Sequence, residues 1–226
     1  MRVGVLFSGG KDSCLALSKA MKEHKVVCLI TIVSKNSESF MFHTPNICIT
    51  KIQAEAMGIP LVSFPTEGKK ENELEDLKKA IVEAKEKYGI EGIVTGSVRS
   101  TYQSSRIEKI CKELDLWCFN PLWLIDEIEE LNEVKDSGIR AIVSGVFAFP
   151  LEKELLGKPI NEEFIKKMIA LKEKWQINPA GEGGEIETTV LDAPFFKSKI
   201  ELIDTSIEYE NYSGTFIINK ARLVKK

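Results

Sequence analysis

The chain has 226 residues, enough for one large domain or two small ones with ample core. Its 43% hydrophobic and 29% charged residues describe a soluble globular protein, and a net charge of −3 with a pI near 5.7 argues against a dominant nucleic-acid surface. No apolar run reaches the roughly 18–20 residues of a membrane span, and the chain enters a core strand at once, so no membrane, no export signal and a cytoplasmic location are expected.

Arg2 to Phe7 reads as a buried strand, and residues 13–24 read as a helix. Between them lies Ser8-Gly9-Gly10-Lys11-Asp12-Ser13. A strand, a tight Gly-Gly turn and a helix N-terminus make an anion site, because the glycines admit a ligand close to the backbone and free N–H groups point at it. Lys11 adds a cation, Ser8 and Ser13 add hydroxyl donors, and Asp12 can hold a metal ion. The expected occupant is a polyphosphate. A Walker A loop is excluded, because Val5 and Asp12 stand where it needs Gly and Ser or Thr.

Further strands are expected at 26–33, 60–64, 92–96 and 117–119, and further helices at 45–57, 70–88, 102–115 and 126–137. Thr44-Pro45 reads as a helix start, and Asp126 with Glu129 as a capping box. Such alternation predicts an α/β fold with a doubly wound, mainly parallel sheet over residues 1–125. Ligands in such sheets sit at the carboxyl ends of the strands. Two segments there carry chemistry. Phe40 to Asn46, with Met41 and His43, can cover a nucleobase; His43 serves equally well as a structural residue. Gly96 to Arg106 follows a strand and opens a helix; Arg99 and Arg106, with several hydroxyls, suit phosphate or carboxylate recognition, and a polar helix N-terminus with solvated arginines is the competing reading.

From Arg140 the pattern changes to α+β: a strand at 140–149, a helix at 161–173 capped by Asn161, then strands at 186–191, 199–209 and 214–223. Residues 126–226 are therefore expected as a smaller C-terminal α+β domain that binds substrate. Its notable segment is Gly181-Glu182-Gly183-Gly184-Glu185-Ile186-Glu187-Thr188. Clustered carboxylates repel unless they surround a metal, an ammonium group or hydroxyl donors. Strand alternation puts Glu185 and Glu187 on one side of the incoming strand. A flexible acidic turn is the competing reading. The five cysteines form no C-x-x-C pair and are expected as buried thiols, with Cys14 beside the loop the candidate for reactivity.

Together these segments identify the chain as resembling the diphthine–ammonia ligase family, the N-type ATP pyrophosphatases of the PP-loop superfamily, in an archaeal version. The resemblance rests on S-G-G-K-D-S at 8–13, M-F-H-T-P-N at 41–46, Q-A-E-A-x-G-I-P at 53–60, G-S-V-x-S-x-x-Q-x-x-R-I-E at 96–108, N-P-L-W at 120–123 and G-E-G-G-E-I-E-T at 181–188. Ser105 departs from the basic residue that many relatives carry there. The resemblance implies a PP-loop ATP-binding fold and a reaction: ATP, with Mg²⁺, adenylates the carboxylate of diphthine on translation elongation factor 2. Ammonia then displaces AMP to give diphthamide, with pyrophosphate released. It implies catalytic roles for Lys11, Asp12 and Glu185, with Asp12 on Mg²⁺. Nucleotide contacts are implied at Ser8 to Ser13, Met41, His43 and Gly96. Substrate contacts are implied at Ser97, Ser100, Gln103, Arg106, Glu182, Gly183, Gly184, Glu185, Glu187 and Thr188. No glutaminase machinery is recognisable, so free ammonia is the expected nitrogen source; a homodimer is compatible with this reading. Another PP-loop adenylating enzyme, such as a tRNA-modifying ligase, and a non-catalytic nucleotide-binding module are the alternatives.

Overall fold

The computed structural model of the chain describes residues 1–34, 46–67 and 72–226. Met41, His43 and the Thr44-Pro45 helix start lie outside the described residues.

The first half builds one parallel sheet of five strands in the order β3-β2-β1-β4-β5, from Arg2–Leu6 (β1), Lys25–Ser34 (β2), Leu61–Thr66 (β3), Gly92–Val94 (β4) and Trp117–Phe119 (β5). Every neighbouring pair is parallel. The connecting helices cover both faces, as parallel strands require. Lys11–Glu23 (α1) and Thr50–Met57 (α2) bury Leu15, Leu17, Ala54 and Met57 on one face; Asn72–Tyr88 (α3) and Thr101–Glu113 (α4) bury Leu77, Ile81, Ile107 and Ile110 on the other. The reversal of direction at β1 and β4 opens a crevice at the strand ends.

The elements fall within a few residues of their expected positions, and the differences have local causes. The helix expected at 45–57 begins as a 3₁₀ turn at Ile47–Ile49 and becomes α-helical only at Thr50. Asn46 is held in a left-handed conformation (φ 63°) by its amide, which donates to Phe216 O and accepts from Ile218 N, each at 2.8 Å. The strand expected at 92–96 ends at Val94, because Thr95 and Gly96 turn into the crevice.

The second half is antiparallel. Arg140–Phe147 (β6), Ile186–Asp192 (β7), Ser198–Glu210 (β8) and Ser213–Lys225 (β9) pair in the order β7-β6-β9-β8. Asn211 (φ 49°) and Tyr212 (φ 62°) make the two-residue turn between β8 and β9. Glu127–Asp136 (α5) is capped by Asp126, whose carboxylate accepts from the amides of Ile128 and Glu129. Glu162–Trp175 (α6) is capped by Asn161, which accepts from the amide of Phe164. One hydrophobic cluster joins β1 and α1 to α5, α6 and the antiparallel sheet, so the α1–α2 layer lies between the two sheets. Cys14, Cys28 and Cys111 are buried, but Cys48 is exposed in the 3₁₀ turn and Cys118 is half-buried. Burial pushes the Cys14 thiol above its ordinary range, so it is packed as an apolar group and not activated. Among the described residues, no helix is long and apolar enough to cross a membrane.

Candidate active site

The loop after β1 owes its shape to the other half of the chain. Gly9 has φ +80°, and a Cβ there would stand 2.3 Å from Gln53 Oε1. Gln53 is fully buried; its amide donates to Gly9 O at 2.9 Å and to Val190 O at 2.8 Å. Val190 N donates to Gly9 O at 2.9 Å, and Lys11 N donates to Thr188 Oγ1 at 3.0 Å. Strand β7 therefore clasps the loop from below. Gly10 caps α1 with an extended backbone and no side-chain cap, which leaves the helix N-terminus free to attract an anion. Gly96 is needed for closeness: a Cβ there would lie 2.9 Å from the backbone of Asp12 and Ser13.

Charge concentrates behind this loop. Lys11 is 2% exposed, and its Nζ donates to Asp12 Oδ1 at 2.5 Å and to Glu130 Oε1 at 2.6 Å. Burial alone would favour neutral Lys11, but the two carboxylates outweigh it and hold the ammonium charged. Burial likewise opposes the Asp12 charge, and Lys11 overcomes it. Glu130 is fully buried, and desolvation with the Asp12 charge raises its pKa far above the carboxylate range despite Lys11. Its second carboxyl oxygen, Oε2, is buried without a hydrogen-bond partner. Glu182 and Glu187 are each pushed up to about 7, first by desolvation and then by the charge of Asp12. Asp12, Glu130 and Glu182 each bring a carboxylate oxygen within 4.8 Å of the others. An all-oxygen donor set of this kind suits a hard divalent cation.

These groups border a cleft of about 680 Å³ at the carboxyl ends of the parallel strands. Ser8, Asp12, Ser13, Gly96, Ser97, Ser100, Gln103, Glu182, Gly183, Gly184 and Glu187, all singled out from the sequence, line it. Part of its lining is apolar, from Ile30, Ile32, Leu77 and Ile107. Gly9, Gly10, Lys11 and Thr188 stand behind the lining as supports. Ser100 caps α4, accepting from Gln103 N at 3.2 Å, and Glu182 Oε2 accepts from Arg99 N at 3.3 Å.

Two residues stand elsewhere. Glu185 precedes β7, is absent from the lining, and accepts from Gly183 N at 2.8 Å, so it shapes its own turn. Arg106 lies back along α4, its guanidinium 3.4 Å over the Tyr102 ring and bonded to Tyr102 O. Arg99 pairs with Glu127 at 3.1 Å. Sequence reasoning missed Glu130 and Gln53. A signal existed for Glu130: Glu127, Glu130, Leu131 and Val134 share the i, i+3, i+4, i+7 spacing of a buried helix face, and all four are buried.

Family models agree across this whole architecture. The diphthamide synthase N-terminal domain matches residues 1–117, and the diphthamide synthase C-terminal domain matches residues 120–224. The chain belongs to the diphthamide synthase family. Within it, a Bos taurus protein named diphthine–ammonia ligase is 35% identical over 226 residues, covering 91% of this chain and 84% of its own length. A Schizosaccharomyces pombe protein of the same name is 34% identical; it aligns with all of this chain, which spans 40% of its length. Among solved structures, a chain described as a predicted subunit of a tRNA methyltransferase from Methanocaldococcus jannaschii is similar at a TM-score of 0.46 and 19% identity, covering 86% of this chain and 98% of that one.

Proposed function

We propose that this member of the family is an ATP-dependent amide ligase acting in the cytoplasm. It activates the carboxylate of diphthine on translation elongation factor 2 as an acyl-adenylate, and ammonia displaces AMP to give diphthamide. The observation that carries this reading is one cleft that joins a helix N-terminus without a side-chain cap, apolar lining and the carboxylates of Asp12, Glu182 and Glu187.

In this reading residues 1–125 hold the nucleotide and residues 126–226 present the acceptor. The apolar part of the lining takes adenine, and Met41 and His43 are further nucleotide contacts by the family motif alone. Ser8, Ser13 and the amides of the first turn of α1 take the β- and γ-phosphates, and Gly96, which lets the loop after β4 pack on that turn, borders the nucleotide. Lys11 stabilises negative charge that grows on pyrophosphate as the acceptor oxygen bonds to the α-phosphorus and the bridging P–O bond breaks. Asp12, Glu130 and Glu182 would hold Mg²⁺, which when bound spreads that charge. Ser97, Ser100 and Gln103 orient the acceptor carboxylate. When ammonia adds to the acyl carbon and the C–O bond to AMP breaks, the nitrogen must lose a proton, and Glu187 is poised near neutrality to take it. Glu185, Gly183 and Gly184 set the turn that carries Glu182 and Glu187.

The test is pyrophosphate release and amide formation, followed together by a phosphate-coupled assay and mass spectrometry. Substrates are ATP, Mg²⁺, ammonium and elongation factor 2 bearing diphthine. Both products should require the modified factor, and glutamine should not replace ammonium once free ammonia is scavenged. Nucleotide binding without pyrophosphate release would instead identify a nucleotide-binding module.

A further inference from the structure

Three aromatic side chains stand in solvent on the second half of the molecule: Phe149 is 51% exposed, Trp175 44% and Tyr212 40%. They come from separate segments, the chain after β6, the end of α6 and the β8–β9 turn. Yet they form one cluster, with Phe149 edge-on to Trp175 at 5.0 Å and to Tyr212 at 4.9 Å. At the 150–250 Å² typical of such side chains, the cluster leaves on the order of 300 Å² of apolar surface in water, the size of patch that marks an interaction site.

The backbone beneath it is unfavourable. Tyr212 has φ 62°, at a turn position where glycine is preferred, and Gln176, directly after Trp175, has φ 58°. A left-handed conformation is unfavourable for a non-glycine residue, and the exposed rings recover little of that by burial.

The patch adjoins the cleft. Strand β6 delivers Phe147 to the cleft wall, and Phe149 follows two residues later. Ser213, next to Tyr212, pairs with Phe147 across β6 and β9. The chain leaving Trp175 runs directly to Gly181–Gly184 in the cleft wall. Charges of both signs lie nearby: Glu182 and Glu187 line the cleft, Glu152 and Glu154 act electrostatically on Tyr209, and Lys174 Nζ stands 5.1 Å from the centroid of the Trp175 ring.

We infer that the Phe149–Trp175–Tyr212 patch is the docking surface for the folded protein that presents the reacting carboxylate, a partner with an apolar surface beside that side chain. This rests on the proposed function, in which the acceptor is a side chain of a protein. A single side chain reaching into the cleft offers little area, so the energy that orders the complex must come from the rim.

The experiment compares Tyr212→Gly, and Tyr212→Gly with Phe149→Ser, against the unaltered protein. Glycine suits the φ at 212, so the single variant should keep its melting temperature. ATP affinity by calorimetry should not change. KM for the protein acceptor should rise about tenfold in the single variant and further in the double, with kcat within about twofold, as expected for a lost uniform binding contact. A short peptide carrying the same modified side chain should react equally well with all three. An unchanged KM for the protein acceptor, an equal loss on the peptide, or an unaltered protein that is a dimer and dissociates on Tyr212→Gly would each overturn the docking surface. An unaltered protein that forms no amide on the protein acceptor overturns the functional reading, and the docking surface with it.

Discussion

Ser8–Ser13 and Gly181–Glu187 border the same cleft, but the buried clasp on the first comes from outside it, while the second is held largely from within. The glycine loop is fastened by Gln53, Thr188 and Val190, all buried and all distant in sequence. The acidic loop is fastened mostly by its own neighbours: Asn178 Oδ1 accepts from the amides of Ala180 and Gly181, Gly184 N donates to Gly181 O, and Glu185 accepts from Gly183, while Arg99 N to Glu182 and Phe147 N to Glu185 O are its ties from outside. Gly183 and Gly184 are exposed. A polyphosphate has one shape, and a site fixed in advance binds it without reorganisation. An acceptor carried by a second protein arrives with its own surroundings, and a locally held loop can adjust to it.

Lys11→Met attacks the fixed side hardest. Pyrophosphate release should fall by about 10²–10³ or more, the scale of losing one preorganised charge contact. The melting temperature should also fall, because breaking a buried ion pair costs about 3–5 kcal/mol. Adding Glu130→Gln should restore much of the stability and none of the turnover. A double variant as unstable as the single one would show that Glu130 is not the group left stranded.

Glu187→Gln should lower amide formation by about 10²-fold, in the range of general-base contributions, with ATP affinity unchanged. Glu185→Gln should stay within a few-fold, since its carboxylate serves the turn. Equal losses would erase the distinction between lining and supporting carboxylates. The same variant carries a pH signature. The folded pKa of Glu187 is raised to about 7 by desolvation, so the folded state binds the proton more tightly than the unfolded state. Its stabilising contribution is complete below the ordinary carboxylate range and is lost as pH rises through 7. The ligand-free protein should therefore lose melting temperature between pH 5 and 8 more steeply than Glu187→Gln does.

Gln53→Ala and Asn178→Ala sharpen the contrast at smaller amplitude. The first removes two buried hydrogen bonds worth about 1–3 kcal/mol with their desolvation and should weaken ATP binding. The second should leave ATP binding alone and slow only the acceptor half. Arg106→Ala should change pyrophosphate release by less than about twofold, because its guanidinium rests on Tyr102; an exposed or stacked charge of this kind contributes little.

The glycine loop was legible because its chemistry is local: an apolar run, two glycines and a helix start within a dozen residues. The C-terminal strands were legible by alternation, and the Asn211-Tyr212 turn by its spacing. Glu130 was not, since a glutamate in a helix rich in Glu127, Glu129 and Glu133 reads as solvated until the partner Lys11, far away in sequence, is placed beside it. Arg106 is the converse. Its residue type suits phosphate, but its guanidinium stacks on the Tyr102 ring while its helix neighbours Gln103 and Ile107 line the cleft. Gln53 was visible as part of a motif, yet its role as a strut between Gly9 and Val190 exists only once both halves are folded.

That strut makes the amide of Val190 a reporter. Gly9 O receives hydrogen bonds from both Val190 N and Gln53, so opening the glycine loop breaks the inner edge of β7 in the same event. A ligand that tightens the loop must then slow exchange of the Val190 proton with solvent by the free energy it adds, although that amide touches no ligand. Isotope exchange at one backbone position in the second sheet would thus read the occupancy of a site built on the first.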